Sequence, residues 1–265
     1  MSIATNFCAG RQPVLIVMHQ EGSTAGRIGR LLVERGHRLD IRRPRFGDRL
    51  PKTLAGHAGA VIFGGPMSAN DPDDYIRREI DWIGVPLREN KPFLGVCLGA
   101  QMLARHLGAR VFADDGGRGE IGYYPIQSTD AGHAVCPAPF PGHVYQWHRE
   151  GFDLPCGATM LARGDVFPTQ AMQVGRNAFG LQFHPEVTYA MICRWTTKAE
   201  ERMDAVGAQG PIAHRKGWYQ FDQAIDAWIS AFIDRWIEGG APKAAPAFQS
   251  AITSAQNTLN FPPLA

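Results

Sequence analysis

The sequence predicts an α/β fold with a doubly wound, mixed and mainly parallel sheet. In its first half, short apolar runs alternate with segments of helical period, the rhythm of repeated βαβ units. The runs AVIF and PFLGV are apolar throughout instead of alternating, as strands covered by helices on both faces must be. From about Gly119 onward the strands become shorter and are separated by turn residues, a pattern suited to a smaller antiparallel section.

Taken in order, Pro13 to Met18 reads as a strand, Ala25 to Arg35 as a helix and Arg38 to Arg42 as a second strand. Ala60 to Phe63 is the third strand, and Tyr75 to Glu89 has helical spacing. Pro92 to Val96 is another strand, and Leu98 to Leu107 a helix closed by Gly108 just past its end. IGYYPI, HVYQW, ATMLA, AMQVG and FGLQF are the shorter strands. Tyr189 to Arg202 reads as helical. Phe221 to Ile237 sets Phe221, Ile225, Trp228, Ile229, Phe232 and Trp236 along one face, which is expected to pack on the main domain. One domain over 1–240 is expected, with an Ala- and Pro-rich tail over 241–265 that lacks strong periodicity.

Composition excludes several classes. Hydrophobic residues make up 45% and charged residues 20% of the 265 residues, ordinary for a soluble globular protein. Net charge is only +2, and Arg42, Arg43, Arg45 and Arg49 are interrupted by Pro44 and Phe46, so no nucleic-acid partner is expected. The five cysteines, Cys8, Cys97, Cys136, Cys156 and Cys193, form no CxxC pair, and no histidine has metal-ligand spacing. Neither a metal nor a cofactor is expected. The start lacks a secretory signal and no run is long enough to span a bilayer, which gives a cytoplasmic expectation without a membrane partner. EGSTAGRIGR does not match the dinucleotide fingerprint and reads as the loop into the first helix; no GxxxxGK[ST] or SGGVDS-type phosphate loop occurs.

The chemistry is concentrated in two segments. In PFLGVCLGAQ a buried strand runs into Cys97 and a helix begins at once, with Gly95 and Gly99 two residues to either side. That spacing is a nucleophile elbow, a turn so sharp that its flanks tolerate little beyond glycine. The helix N-terminus presents backbone N–H groups and the positive end of its dipole to Cys97, favouring a thiolate. In FGLQFHPEV an apolar strand delivers His184 and Glu186 to the carboxyl end of the sheet, where a carboxylate two residues beyond an imidazole can fix its tautomer. A third segment, FGGP, ends the strand before the nucleophile strand, and Gly64 and Gly65 free the backbone to aim N–H groups at an oxyanion.

FGGP, then GVCLGAQ, then FHPEV, in that order, resembles the class I (triad) glutamine amidotransferases, especially the stand-alone members similar to the amidotransferase domain of GMP synthase. The resemblance covers nearly all of Pro13 to Thr188 and implies a flavodoxin-like sheet. It also implies a triad of Cys97, His184 and Glu186, oxyanion-hole amides from Gly65 and Leu98, and glutamine contacts from Gly64 and Gln101. RGEIGYYPI and VYQWHREGFDLP are similar to that family too, which puts Tyr145, Gln146, Trp147 and His148 near the substrate pocket. Nothing after Thr188 resembles a synthetase domain, so any ammonia acceptor would belong to a partner synthetase acting in trans. Two other readings stand beside glutaminase: a γ-glutamyl hydrolase or peptidase with the same triad, favoured by a wider pocket, and a non-catalytic subunit of a synthetase complex. PfpI-type families place a histidine after the elbow cysteine, where this chain has Leu98.

Overall fold

The computed structural model describes residues 11–238; Cys8 and the 241–265 tail lie outside the described residues. Strand β1 (Arg11–Val17) passes through helix α1 (Gly26–Glu34) to β2 (His37–Arg42), and β3 (Gly59–Ile62) comes after it. The helical spacing over Tyr75 to Glu89 becomes two helices, α2 (Asp74–Trp82) and α3 (Gly84–Arg88). The break has a local cause: Pro86 has no N–H to donate to the carbonyl four residues back, and Gly84 tolerates the bend. Next come β4 (Phe93–Val96) and α4 (Leu98–His106).

The second half is built from shorter pieces. They are β5 (Val111–Ala113), β6 (Glu120–Pro125), β7 (Gln127–Ser128) and the single turn α5 (Asp130–His133), which the Thr129 hydroxyl caps by accepting from Gly132 N–H. After them run β8 (His143–His148), β9 (Glu150–Phe152), β10 (Ala158–Arg163), β11 (Ala171–Val174) and β12 (Ala178–Leu181). Helix α6 (Tyr189–Lys198) continues as a 3-10 turn over Glu200–Asp204, and α7 (Pro211–Ile237) is the last element. Helix α7 starts ten residues before the aromatic stripe. Pro211 fits the first helical position, and Gly217 leaves room for the Tyr123 ring, which a Cβ would strike.

The main sheet has eight strands in the order β2-β1-β3-β4-β12-β11-β10-β7. The first five are parallel, with β12 in the fifth position of a flavodoxin-like 2-1-3-4-5 order, and β11, β10 and β7 extend the sheet antiparallel. The mixed sheet is therefore as expected, but β6 and β8 pair with each other apart from it, as do β5 and β9. Burial on both faces explains the continuous apolar strands. Along β1, Val14 and Ile16 pack toward α1 and α7 while Leu15 and Val17 pack toward α2 and α4. No helix among the described residues is long and apolar enough to cross a membrane.

The face of α7 closes one side of the sheet: Trp228, Phe232 and Trp236 are fully buried, and the Trp228 ring lies 4.6 Å from Phe140 and 5.1 Å from Phe232. The Trp228 indole N–H has no acceptor among the described residues. Trp228→Ala is expected to lower stability by about 3–5 kcal/mol in urea unfolding. Trp228→Phe, which also removes the unpaired donor, should cost less than about 1.5 kcal/mol. A loss below about 1 kcal/mol for the alanine variant would show that α7 is not part of the cooperative core.

Candidate active site

Register brings the ends of β1, β3, β4 and β12 to one edge: Val17 lies opposite Ile62, Ile62 opposite Gly95, and Val96 opposite Leu181. One step past Val96 the chain turns at Cys97, with φ 51° and ψ −106°. A non-glycine residue there stores strain on the order of 1–3 kcal/mol, tolerated only where the surroundings over-determine it. Gly95 and Gly99 supply that constraint. A Cβ on Gly95 would collide with the backbone of Gly99, and one on Gly99 with the Ile62 carbonyl. The Cys97 N–H donates to the Leu181 carbonyl at 2.7 Å and its own carbonyl accepts from Gln101 N–H at 3.0 Å, so strand and helix both grip the elbow.

Three residues past Leu181, His184 is 5% exposed, and its Nδ1 lies 2.7 Å from Glu186 Oε1. Among the described residues, no hydrogen bond of regular geometry reaches the other ring nitrogen, Nε2. Burial opposes the charge on His184, but Glu186 and Cys97 outweigh it and push the imidazole up to about 10. Gly64 lies against both His184 and Cys97: a Cβ there would sit 2.9 Å from His184 Cε1 and 3.4 Å from Cys97 Cβ. The Gly65 N–H has no acceptor among the described residues, and the Leu98 N–H opens the first turn of α4, where an intrahelical acceptor is lacking.

Two cavities meet over Cys97 and share Gly65, Pro66 and Arg202 in their walls. One, about 450 Å³, contains His184, Glu186, Gly64 and Trp147. The other, about 440 Å³, contains Gln101, Ser68, His148 and Glu150. Gln101 is nearly buried, and its amide donates to the Glu150 carbonyl at 2.7 Å and to Gln182 at 3.2 Å.

Two residues of VYQWH, Tyr145 and Gln146, lie outside both cavities, and His148 lines the second. Tyr145 lines neither cavity; its hydroxyl is 2.9 Å from His214 on α7, and its carbonyl accepts from His184 N–H at 2.8 Å. Gln146 is fully buried and donates to Gln170 at 2.6 Å. His148 touches the second cavity, but both its nitrogens are committed, Nδ1 to the Glu150 carbonyl and Nε2 to Gln146 and Glu120. Gln146, His148, Glu120 and Gln170 form a closed polar network, because each buried polar group needs a partner and β6, β8 and the residue before β11 place those partners inward. Trp147 does face a cavity, with its ring 5.5 Å from Trp195.

Sequence reading missed several residues around the site. His19, directly past β1, is fully buried between the Gly64 carbonyl at 3.1 Å and Glu79 at 2.8 Å, and so braces the Gly64–Gly65 turn. Its place just beyond an apolar strand at the carboxyl edge, like that of His184, was the available signal. Trp195 stands edge-on to His184 at 5.2 Å. Arg27 donates from its backbone to the Glu186 carbonyl at 2.7 Å and from its guanidinium to the Pro185 carbonyl, while Asp222 and Asp226 of α7 hold it. Gly26, at φ 51°, allows that approach, since a Cβ would run into the Glu186 carbonyl. Among the described residues no cluster of His, Cys, Asp or Glu could hold a metal ion.

Residues 17–191 match the family model described as glutamine amidotransferase class-I. The chain is 28% identical over 232 residues to a putative glutamine amidotransferase-like protein, YfeJ, of Salmonella typhimurium, covering 83% of this chain and 95% of that one. It is 32% identical over 186 residues to the glutamine-hydrolyzing GMP synthase of Aeropyrum pernix, covering 69% of this chain but only 34% of the synthase. A crystal structure of a glutamine amido transferase from Methylobacillus flagellatus superimposes with a TM-score of 0.80 at 23% identity, over 86% of this chain and 95% of the other. A family match that covers more than half of the chain and spans every strand end of the site leads to one conclusion: the chain belongs to the class I glutamine amidotransferase family.

Proposed function

We propose that this chain hydrolyses the side-chain amide of glutamine, or of a close γ-glutamyl relative, through a thioester on Cys97. The observation that carries the reading is the strained Cys97 elbow beside an imidazole held by Glu186, at the floor of two cavities. The Cys97 thiolate attacks the amide carbon, forming the C–S bond, and the N–H groups of Gly65 and Leu98 receive the oxyanion. His184 gives its proton to the nitrogen as the C–N bond breaks, and ammonia leaves. The same imidazole then takes a proton from water, whose oxygen attacks the thioester, breaking the C–S bond and releasing glutamate. Glu186 orients His184 and stabilises its positive form. Ammonia would leave to solvent or pass to a partner synthetase in trans; the relative from Aeropyrum pernix, a GMP synthase, is the kind of enzyme that suggests such a partner.

Release of ammonia and glutamate from glutamine by the purified chain tests the reading. Cys97→Ala should lower kcat/KM at least about 10³-fold and His184→Ala about 10²–10⁴-fold. Equal activity in parent and Cys97→Ala would sink the mechanism.

His184 also sets a pH dependence. Its imidazole lies above the ordinary value of 6.5, at about 10, so the ion pair with Glu186 contributes its full stability below pH 6.5 and loses it as pH rises through 10. Glu186→Gln should therefore destabilise the fold more at pH 6 than at pH 10, and should move the alkaline limb of kcat/KM to lower pH. An unmoved limb would mean that Glu186 does not act on the proton of His184.

A further inference from the structure

The two cavities have different chemical positions in this reaction. Because His184 must reach the departing nitrogen, the leaving group belongs in the cavity that contains His184, and the γ-glutamyl part in the one that contains Gln101 and Glu150. Ammonia is about the size of a water molecule, whose share of liquid volume is about 30 Å³. The cavity on the His184 side, about 450 Å³, is far larger than that leaving group requires.

Its wall is also charged in a particular way. Arg194 and Lys198 are one turn apart on α6, and Arg202 lies four residues later on the 3-10 turn, so the three cations face the same cavity. None of them makes an ion pair or side-chain hydrogen bond among the described residues, whereas Arg27, Arg30, Arg35, Arg42, Arg77, Arg110 and Arg118 are all paired with carboxylates. Arg202 is half-buried; burial, then the neighbouring Arg149, press its guanidinium down from its usual value, and Glu201 and Cys97 offset them only in part. The carboxylates in this wall are Glu186, committed to His184, and Glu201. Trp147 and Trp195 complete the wall with apolar surface.

We infer that the preferred leaving group is an amine bearing a carboxylate, so that γ-glutamyl amino acids and short γ-glutamyl peptides are cleaved in preference to neutral γ-glutamyl amides. Arg194, Lys198 and Arg202 receive the carboxylate of the departing half through charge-assisted hydrogen bonds, with the arginines suited to a two-pronged grip. The bonds made and broken are those of the thioester route: the C–N bond to the amino acid breaks, its nitrogen takes the His184 proton, and water later releases glutamate from Cys97. The inference rests on that Cys97-centred reading and adds the identity of the amine.

The test compares γ-glutamylglycine with γ-glutamylethylamide, which share the glutamyl half and differ in the leaving-group carboxylate. Glutamine, Cys97→Ala and the double variant Arg194→Gln/Lys198→Gln are run beside them on the full chain, each variant checked for a parental melting curve. In the parent, γ-glutamylglycine is expected to exceed the ethylamide in kcat/KM by about tenfold or more, mostly through KM. That ratio should fall below about threefold in the double variant and shrink in raised salt. A ratio near one in the parent, with glutamine or the ethylamide cleaved and that cleavage lost in Cys97→Ala, overturns the inference and leaves the thioester mechanism standing. A large parental ratio that survives in the double variant also overturns it, since the cations would then not be its cause. Cleavage of none of the three substrates overturns the mechanism and the inference together.

Discussion

Everything at the site hangs on the backbone contact between Gly99 and the Ile62 carbonyl. With no Cβ at Gly99, α4 can start hard against the end of β3, and the chain between β4 and α4 has no room except a turn with Cys97 at positive φ. Strain of order 1–3 kcal/mol at Cys97 is small beside the burial of β4 and the first turn of α4, where every residue from Phe93 to Ala104 is buried. The sheet can therefore hold the strained residue without help from a ligand. The same contact fixes the direction of α4 and brings Gln101 down beside Glu150 and Gln182.

The neighbouring strand sets the placement of His184 but not its orientation. Parallel pairing of β12 with β4 fixes how far the chain has travelled when it reaches His184; the segment beyond β12 is irregular and has to be held from outside the sheet. Tyr145 holds His184 through its carbonyl, and the start of α1 holds Glu186 through Arg27. Arg27 is anchored in turn by Asp222 and Asp226, so the last helix, which packs on the sheet by its aromatic face, also reaches the Pro185–Glu186 segment by its acidic one. Packing and positioning are thus two faces of α7. Loss of an acidic anchor would act on the carboxylate–imidazole pair without touching a cavity.

Much of this was legible in the sequence because the signals are local. Continuous apolar runs marked the parallel strands, GVCLG marked the elbow through the glycines its turn demands, and FHPEV put an imidazole and a carboxylate two residues apart at a strand end. The features that were not legible depend on partners distant in sequence. His19 and Glu79 meet only because α2 crosses the end of β1, and Gln146, His148, Glu120 and Gln170 form one network only once three strands are folded together. Resemblance implied that Tyr145, Gln146, Trp147 and His148 lie by the pocket, and of these Trp147 and His148 line a cavity. Alternation along β8 sends neighbouring side chains to opposite faces, so Trp147 faces a cavity while Gln146 is turned inward. The helical spacing over Tyr75 to Glu89 failed at Pro86 because periodicity records which face is buried and is blind to a missing N–H.

The boundary of the family match divides the site by chemistry. Matched residues end at Met191, and within them lie the elbow, the imidazole and carboxylate, and the N–H groups of Gly65 and Leu98. Arg194, Lys198 and Arg202 come directly afterwards, on the same helix and the turn that extends it. Groups that act on bonds must be held to fractions of an ångström, and here they stand on strand ends and the start of a buried helix. A helix end over the cavity mouth is under no such demand: its backbone is braced by α7 while its side chains extend over the opening, so the charge it presents can change without disturbing Cys97. On the proposed reading, selection among γ-glutamyl compounds is thereby separated from the cleavage step.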